Sequence, residues 1–193
     1  RLRCDWSSDV CSSDLSDSSW PGYRRAPSLI MEGYSVIAEE LRRRFELEHR
    51  WPSHVFLQAG VGGLAAAIAH MIRLNWTAQP EIIIVEPEAA PCLLQSQLAG
   101  KPVTVAGPES VMARLDCKQP SIIAVEVLNR VADRFVTIGD AEAEDAVAIA
   151  SSAGIKSTPS GVAGLAALLN AEELGLELDG TAYPLVIITE AAA

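Results

Sequence analysis

A glycine-rich turn between a predicted strand and a predicted helix has the composition of an anion-binding site. The apolar run at residues 54–57 leads into residues 58–63, QAGVGG, and a helix-like run of small residues begins at position 64. Glycines let the backbone come close to a phosphate because no Cβ intervenes, and the first amides of a helix point towards the anion. We therefore predict that a phosphorylated small molecule binds to Gly60, Val61, Gly62, Gly63 and Leu64.

Two kinds of ligand fit this turn. Gly60, Gly62 and Ala65 formally match the G-x-G-x-x-A dinucleotide fingerprint, and Glu86 follows Gly62 by 24 residues, near the usual place of a ribose-binding acid. Spacing alone would thus favour NAD and a dehydrogenase. However, such short fingerprints give many false matches. The strand of a dinucleotide fingerprint usually begins a domain, whereas the strand that leads into this turn follows a long helical segment. We expect Glu86 to cap or line the edge of the sheet.

The composition narrows the class of protein. The chain has 193 residues, 49% of them hydrophobic and only 5% aromatic, which suits one α/β domain with closely packed helices. The formal net charge of −10 argues against nucleic acid or an anionic membrane as a partner. The four cysteines lack the paired spacing of a zinc site, so we expect no metal and a reducing, cytoplasmic location.

Helical and strand patterns alternate along the chain. The predicted strands cover residues 54–58, 81–85, 135–138 and 184–189. The predicted helices cover residues 27–44, 63–74, 89–99, 110–115, 122–131, 141–153 (with Asp140 as N-cap) and 160–174. This alternation predicts an α/β fold with a doubly wound, mostly parallel sheet and helices on both faces. Ligands of such sheets bind at the carboxyl ends of the strands.

The first 15 residues do not resemble the rest of the chain. They are polar, have no periodicity, and carry Cys4 and Cys11. Residues 9–15, DVCSSDL, resemble the translation of a sequencing-library adapter. We expect residues 1–15 to be non-native or disordered, and residues 16–193 to form the ligand-binding α/β domain.

Several motifs in a fixed order resemble one enzyme family. They are SDSSWPGY (16–23), IMEGY (30–34), FLQAGVGGLAAAIA (56–69), IIIVEPEAAPCL (82–93), VMARLDC (111–117) and LVIITE (185–190). Together they resemble the diaminopropionate ammonia-lyases, which are pyridoxal-phosphate enzymes of the tryptophan-synthase-β-like fold (fold type II). A series of motifs is far more specific than one glycine turn.

The resemblance implies a cofactor, a reaction and site residues. The cofactor would be pyridoxal 5'-phosphate, with its phosphate held by the turn at residues 60–64. The reaction would be an α,β-elimination that converts a small amino-acid substrate, 2,3-diaminopropionate, to pyruvate and ammonia, in an enzyme that is a homodimer. Asp17, in the D-x-x-W motif, matches the base that serves the L isomer, a role that suits a carboxylate whose pKa is brought towards neutrality. The sequence alone favours a cap of the turn before Trp20 for Asp17, and the family resemblance reverses that order.

The chain also departs from the family pattern. The Schiff-base lysine of the family lies upstream of the matching region, and Lys101, Lys118 and Lys156 sit in no matching motif. A glutamate of the family is replaced by Pro159. In the closing strand Thr189 could present a hydroxyl to the pyridine nitrogen, whereas its neighbour, an isoleucine, could not. We therefore expect a piece of a longer lyase that is itself inactive. The alternatives are an NAD-dependent dehydrogenase domain and a non-catalytic relative with the same fold.

Overall fold

The computed structural model describes residues 15–191 of the chain. The segment predicted to be non-native lies outside this range except for Leu15. Helices and strands alternate in the described part: α1 (Arg25–Glu48), β1 (His54–Gln58), α2 (Gly63–Asn75), β2 (Glu81–Pro87), α3 (Cys92–Ala99), α4 (Ile122–Val131), β3 (Arg134–Ile138), α5 (Asp140–Ser152), α6 (Ala163–Leu169) and β4 (Pro184–Val186). Across this range no helix is both long and apolar enough to span a bilayer.

The four strands form one parallel sheet in the order β3-β2-β1-β4. The strand that follows β1 along the chain lies on one side of it, and β4 lies on the other, so the winding of the sheet reverses at β1. In open parallel sheets, ligands bind beyond the carboxyl ends of the strands at such a reversal. The glycine turn leaves the carboxyl end of β1, and the predicted doubly wound sheet is confirmed.

Each face of the sheet carries its own core. Alternate strand residues such as Val55 and Ile82 pack with α1, α2 and α4, and their neighbours, such as Phe56 and Ile83, pack with α5 and α6. Both faces are covered, which explains why β2 reads as a continuous apolar run rather than an alternating one. Alanines dominate the facing helices, and this lets them approach the sheet closely.

One side chain accounts for two wrong predictions. The expected helix at residues 110–115 is a turn, and Asp140 lies inside α5 and does not cap it. The Asp140 carboxylate instead accepts the hydroxyl of Ser110 at 2.5 Å and the amide of Val111 at 3.2 Å. Because Asp140 satisfies the backbone and side chain of this loop, the segment folds as a turn against the start of α5.

Three other boundaries were predicted too generously. Helix α3 begins after Pro91 and α6 spans seven residues instead of fifteen. Strand β4 ends at Val186 rather than at Thr189. Beyond β4, long-range hydrogen bonds replace the regular ladder: the carbonyl of Ile187 accepts from the Gln58 side chain at 2.8 Å, and the Thr189 amide donates to the Gly161 carbonyl at 3.1 Å.

Candidate cofactor-binding site

The glycine turn presents a row of backbone amides. Among residues 15–191, no amide of residues 60–65 donates a hydrogen bond to another atom of the chain, and the first helical bond of α2 runs from Ala66 to the Gly62 carbonyl. Gly62 is the N-cap and has a φ of 95°. Free amides at the start of a helix, with its positive dipole end, form a binding site for an anion.

The turn is closed on one side by tight packing. A Cβ at Gly60 would lie 2.9 Å from the Arg114 carbonyl oxygen and 3.0 Å from Cys117 Sγ, and one at Gly62 would lie 2.9 Å from Ala124 Cβ. At Gly63 a Cβ would lie 3.9 Å from Met31 Cγ, an ordinary contact distance, so this position is less tightly packed than the other two. The glycines at 60 and 62 are thus required by close approach, and Cys117 packs against the turn.

The backbone of Asp17 lies beside Gly63 in this turn. Its carbonyl oxygen would be 4.0 Å from a Cβ on Gly63. The Asp17 side chain is at the surface, yet neighbouring atoms desolvate it enough to raise the pKa of its carboxyl above the ordinary value. The pKa of Tyr34 is raised mainly by burial of its own side chain, and the negative charge of Asp17 raises it further. The structure therefore places the backbone of Asp17 close to the predicted phosphate-binding turn.

A buried pair of hydroxyls holds these two parts in place. Ser19 Oγ and Ser121 Oγ are 2.7 Å apart, and the Ser121 amide donates to the Val61 carbonyl at 3.0 Å. Ser19 also accepts the amide of Ile123 in the first turn of α4 at 2.9 Å. The sequence analysis missed both serines, because no local pattern indicates a bond between residues 102 positions apart.

Glu86 is a buried cap and is not open to a ligand. It is completely buried, and its two carboxylate oxygens accept the amides of Leu93 and Leu94 at 2.7 and 2.8 Å. Burial is the largest effect on this carboxyl and raises its pKa to about 7, against the opposing hydrogen bonds. Glu86 therefore caps the first turn of α3, as one of its two expected roles, and its carboxylate is not available to a ribose.

Thr189 lies across the sheet from the turn, beside Gln58 at the end of β1. The Gln58 side-chain amide is 3.2 Å from Thr189 Oγ1. Ile188 packs against the second core, so Thr189 is the one of the two that shares a polar environment. The Ser157 hydroxyl bonds to the Thr189 carbonyl at 2.7 Å, and Pro159 lies in the turn that follows.

None of the three lysines is placed as a candidate for covalent attachment. Lys118 donates to the carbonyls of Ala89 and Pro108, both at 2.8 Å, and pairs with Asp116. Lys101 and Lys156 are exposed outside the helices and strands. Lys118 therefore ties the loop before α4 to the end of β2.

No group of three or more metal-binding side chains occurs between residues 15 and 191.

The comparisons with known proteins agree with this arrangement. The family described as pyridoxal-phosphate dependent enzyme matches residues 18–190. The diaminopropionate ammonia-lyase of Salmonella typhimurium is 32% identical over an alignment of 195 positions, and the alignment covers 91% of this chain and 48% of that protein. The Escherichia coli K12 diaminopropionate ammonia-lyase is 34% identical over 131 residues, covering 67% and 33%. The chain thus spans between a third and about half of the relatives it matches.

A solved structure shows the same fold. The Escherichia coli diaminopropionate ammonia-lyase in complex with an aminoacrylate–pyridoxal-phosphate azomethine intermediate superposes with a TM-score of 0.80 at 30% identity, over 92% of this chain and 49% of that one. The free amides at the reversal of the sheet are the group that the cofactor's phosphate requires. The resemblance seen in the sequence is confirmed: the chain belongs to the pyridoxal-phosphate-dependent enzyme family of fold type II, and its cofactor is pyridoxal 5'-phosphate.

Proposed function

We propose that this chain is the cofactor-binding part of a lyase that eliminates ammonia from 2,3-diaminopropionate to give pyruvate. The observation that carries this proposal is the row of free amides at residues 60–65, which lies beside Asp17 at the reversal of the sheet. The names of the two curated relatives support the substrate. Pyridoxal phosphate, when bound, supplies an electron-withdrawing ring that accepts the electron pair left at Cα.

The residues of the chain have separate tasks in this proposal. The amides of residues 60–64 hold the phosphate, and the packing behind Gly60 and Gly62 keeps the loop from moving away. Asp17 takes the proton from Cα of the L isomer, and its raised pKa suits a base working near neutral pH. Thr189 presents its hydroxyl to the ring nitrogen.

The chain by itself is proposed to bind the cofactor without turnover. Its lysines are either exposed or, in the case of Lys118, held by two carbonyls and Asp116. Treating the chain with pyridoxal phosphate and borohydride should leave no specific adduct. A stable adduct at one lysine, located by peptide mass spectrometry, together with release of pyruvate, would overturn this part of the proposal.

The other two candidates have less support. An NAD enzyme needs a free acid at the end of β2, and Glu86 is committed to the amides of Leu93 and Leu94. A non-catalytic relative would explain Pro159 in place of the family glutamate. It would bind the same cofactor without eliminating ammonia, so release of pyruvate by the longer protein separates a lyase from it.

The test is ligand binding read at individual amides. In ¹⁵N–¹H NMR of the chain, pyridoxal 5'-phosphate should shift the amides of residues 60–64, and inorganic phosphate should compete with it. Pyridoxal, which lacks the phosphate, is the matched control and should leave these amides unchanged. NAD shifting the same amides while pyridoxal phosphate does not would reject the proposal.

A further inference from the structure

Lys118 uses all three hydrogens of its ammonium group inside the protein. Its Nζ donates to the Ala89 carbonyl at 2.8 Å, to the Pro108 carbonyl at 2.8 Å and to Asp116 Oδ1 at 2.5 Å. An ammonium group has three donors and no acceptor, so these three oxygens, called the ammonium site below, complete its hydrogen bonding. The Lys118 and Asp116 side chains are only 15% and 14% exposed, and lysines are seldom sheltered in this way unless they are paired.

The ammonium site joins a long loop to the sheet. Ala89 lies in the turn after β2, and the preceding residue, Glu88, anchors this turn because its amide donates to the Ile138 carbonyl of β3 at 2.9 Å. The other two oxygens of the site belong to residues 100–121, which connect α3 to α4 without a helix or strand of their own. A loop of this length depends on such cross-links for a fixed position.

The same loop forms the wall behind the glycine turn. A Cβ on Gly60 would lie 2.9 Å from the Arg114 carbonyl oxygen and 3.0 Å from Cys117 Sγ. Asp116 and Lys118 are the two chain neighbours of Cys117. The ammonium site therefore fixes the loop on both sides of a residue that touches the turn.

The ammonium site needs a positive charge at its centre. Two carbonyl oxygens and a carboxylate oxygen face one point there, and the backbone of Gly107 packs directly on the Ala89 carbonyl, since a Cβ at Gly107 would lie 2.2 Å from that oxygen. Without a cation, the three oxygens would face one another with no donor between them. Main-chain carbonyls can also replace the hydration shell of K⁺, so the same oxygens suit a small monovalent cation.

We propose that Lys118 is a positioning residue that acts as a tethered cation: its ammonium group fills the ammonium site and thereby holds the wall behind the phosphate-binding turn. This inference rests on the proposed binding of the cofactor phosphate at residues 60–64 and deepens it. A wall that is already fixed spares the turn the cost of becoming ordered when the phosphate binds. The affinity for the cofactor then depends on a positive charge at this point, and that charge need not be attached to the chain.

The test removes the tether and supplies the charge from solution. Calorimetry measures the affinity of the chain for pyridoxal 5'-phosphate, with inorganic phosphate as competitor, in tetramethylammonium, potassium or ammonium chloride of equal ionic strength. Lys118→Ala should bind roughly 10-fold more weakly in tetramethylammonium, which is too bulky for the site, as expected from the loss of one charged hydrogen-bonding group. Potassium or ammonium should restore its affinity to within about threefold of the wild type.

Two further variants control for packing and for the loss of any lysine. Lys118→Met keeps the apolar stem but has no charge, and its terminal methyl would stand in the way of a cation, so it should bind weakly in all three salts. Lys101→Ala removes an exposed lysine at the start of the same loop. It should bind like the wild type in all three salts.

The outcomes separate the levels of the proposal. Wild-type affinity of Lys118→Ala in tetramethylammonium would overturn the positioning role. A loss that no small cation restores, or one that potassium restores equally in Lys118→Met, would overturn the tethered cation. Absence of phosphate-competed binding by the wild type would reject the proposed function. The ammonium site would then be judged by the melting temperature of Lys118→Ala, which should rise in potassium and not in tetramethylammonium.

A measurement on the wild type covers the case of a Lys118 variant that does not fold. An ammonium group with three acceptors in the protein exchanges its hydrogens slowly with water. In ¹⁵N–¹H NMR of the lysine side chains at neutral pH, Lys118 should therefore give a signal, whereas the exposed Lys101 and Lys156 should not. Rapid exchange at Lys118 would contradict the proposal directly.

Discussion

The two ends of the sheet treat polar groups in opposite ways. At the amino end, Arg73 bonds to the carbonyls of Val131 and Pro80 at 3.0 and 2.9 Å and pairs with Asp133, which also accepts the Ile82 amide at 2.7 Å. At the carboxyl end, the glycine-turn amides and Gln58 Oε1 have no partner in the described chain. Polar groups without a hydrogen-bond partner indicate where a ligand binds, and polar groups with all their partners indicate a structural role.

The difference extends to charge. At the amino end the carboxylates face arginines, as Glu81 faces Arg134 at 3.0 Å. At the carboxyl end Asp17 and Glu86 have pKa values raised by burial. Carboxyl groups with raised pKa values are common at functional sites. Here Asp17 lies next to the glycine turn, whereas Glu86 caps α3. The four changes below test this contrast, from the largest expected effect to the smallest.

Gly62→Ala should lower the stability of the fold and the affinity for the cofactor more than any other change at the carboxyl end of the sheet. The left-handed φ costs about 1–2 kcal/mol, and a Cβ 2.9 Å from Ala124 adds overpacking of about 1–3 kcal/mol. We expect chemical denaturation to show a loss of roughly 2–5 kcal/mol, with binding of pyridoxal phosphate abolished. Gly33→Ala is the control, because nothing lies within 4 Å of a Cβ there. It should leave binding intact, and loss of binding in both variants would contradict the argument.

Glu86 should make stability depend on pH. Its pKa is about 7 in the folded chain and ordinary in the unfolded one, so the proton is held more tightly by the fold. Stability from this group is complete below pH of about 4.5 and is lost as the pH rises through 7, by up to about 3 kcal/mol.

Urea denaturation from pH 5 to 8 measures this slope, and Glu86→Gln should flatten it. A slope that persists in Glu86→Gln would assign the effect to another group.

Arg73→Ala should weaken the fold without touching the site. Removing the guanidinium leaves the carbonyls of Val131 and Pro80 without their donor, at a cost of roughly 1–3 kcal/mol since the side chain is partly exposed. The affinity for pyridoxal phosphate should match the wild type. A tenfold weaker affinity in a folded variant would show that the two ends of the sheet are not separate.

Asp17→Asn should produce the smallest change. The charge of Asp17 adds to the effect of burial in raising the pKa of Tyr34, so the variant should lower that pKa slightly. Ultraviolet titration of the tyrosines measures it, and the melting temperature should hardly move. No change in the Tyr34 titration would place the Asp17 carboxylate away from α1.

Local chemistry was enough to predict the strands and the glycine turn. The continuous apolar run of β2 and the bend at residues 60–63 depend on neighbouring residues alone, and both were predicted correctly. The turn at residues 110–115 was not, because Asp140 determines it from 30 positions away. The orientation of Gln58 has the same origin, since its acceptors lie more than 100 positions along the chain. Where polar side chains replace the regular backbone hydrogen bonds of a helix or strand, the sequence shows no periodic pattern that would predict it.

The hydroxyl pair of Ser19 and Ser121 gives the molecule a short mechanical linkage. The Ser121 amide donates to the Val61 carbonyl in the glycine turn, and the Ser121 hydroxyl bonds to Ser19 in the segment that precedes α1. A single residue thus connects the loop and this segment, with no helix or strand between them. We therefore expect an anion bound at the loop to steady residues 16–19 as well, so that filling the phosphate site would also order the segment that carries Asp17.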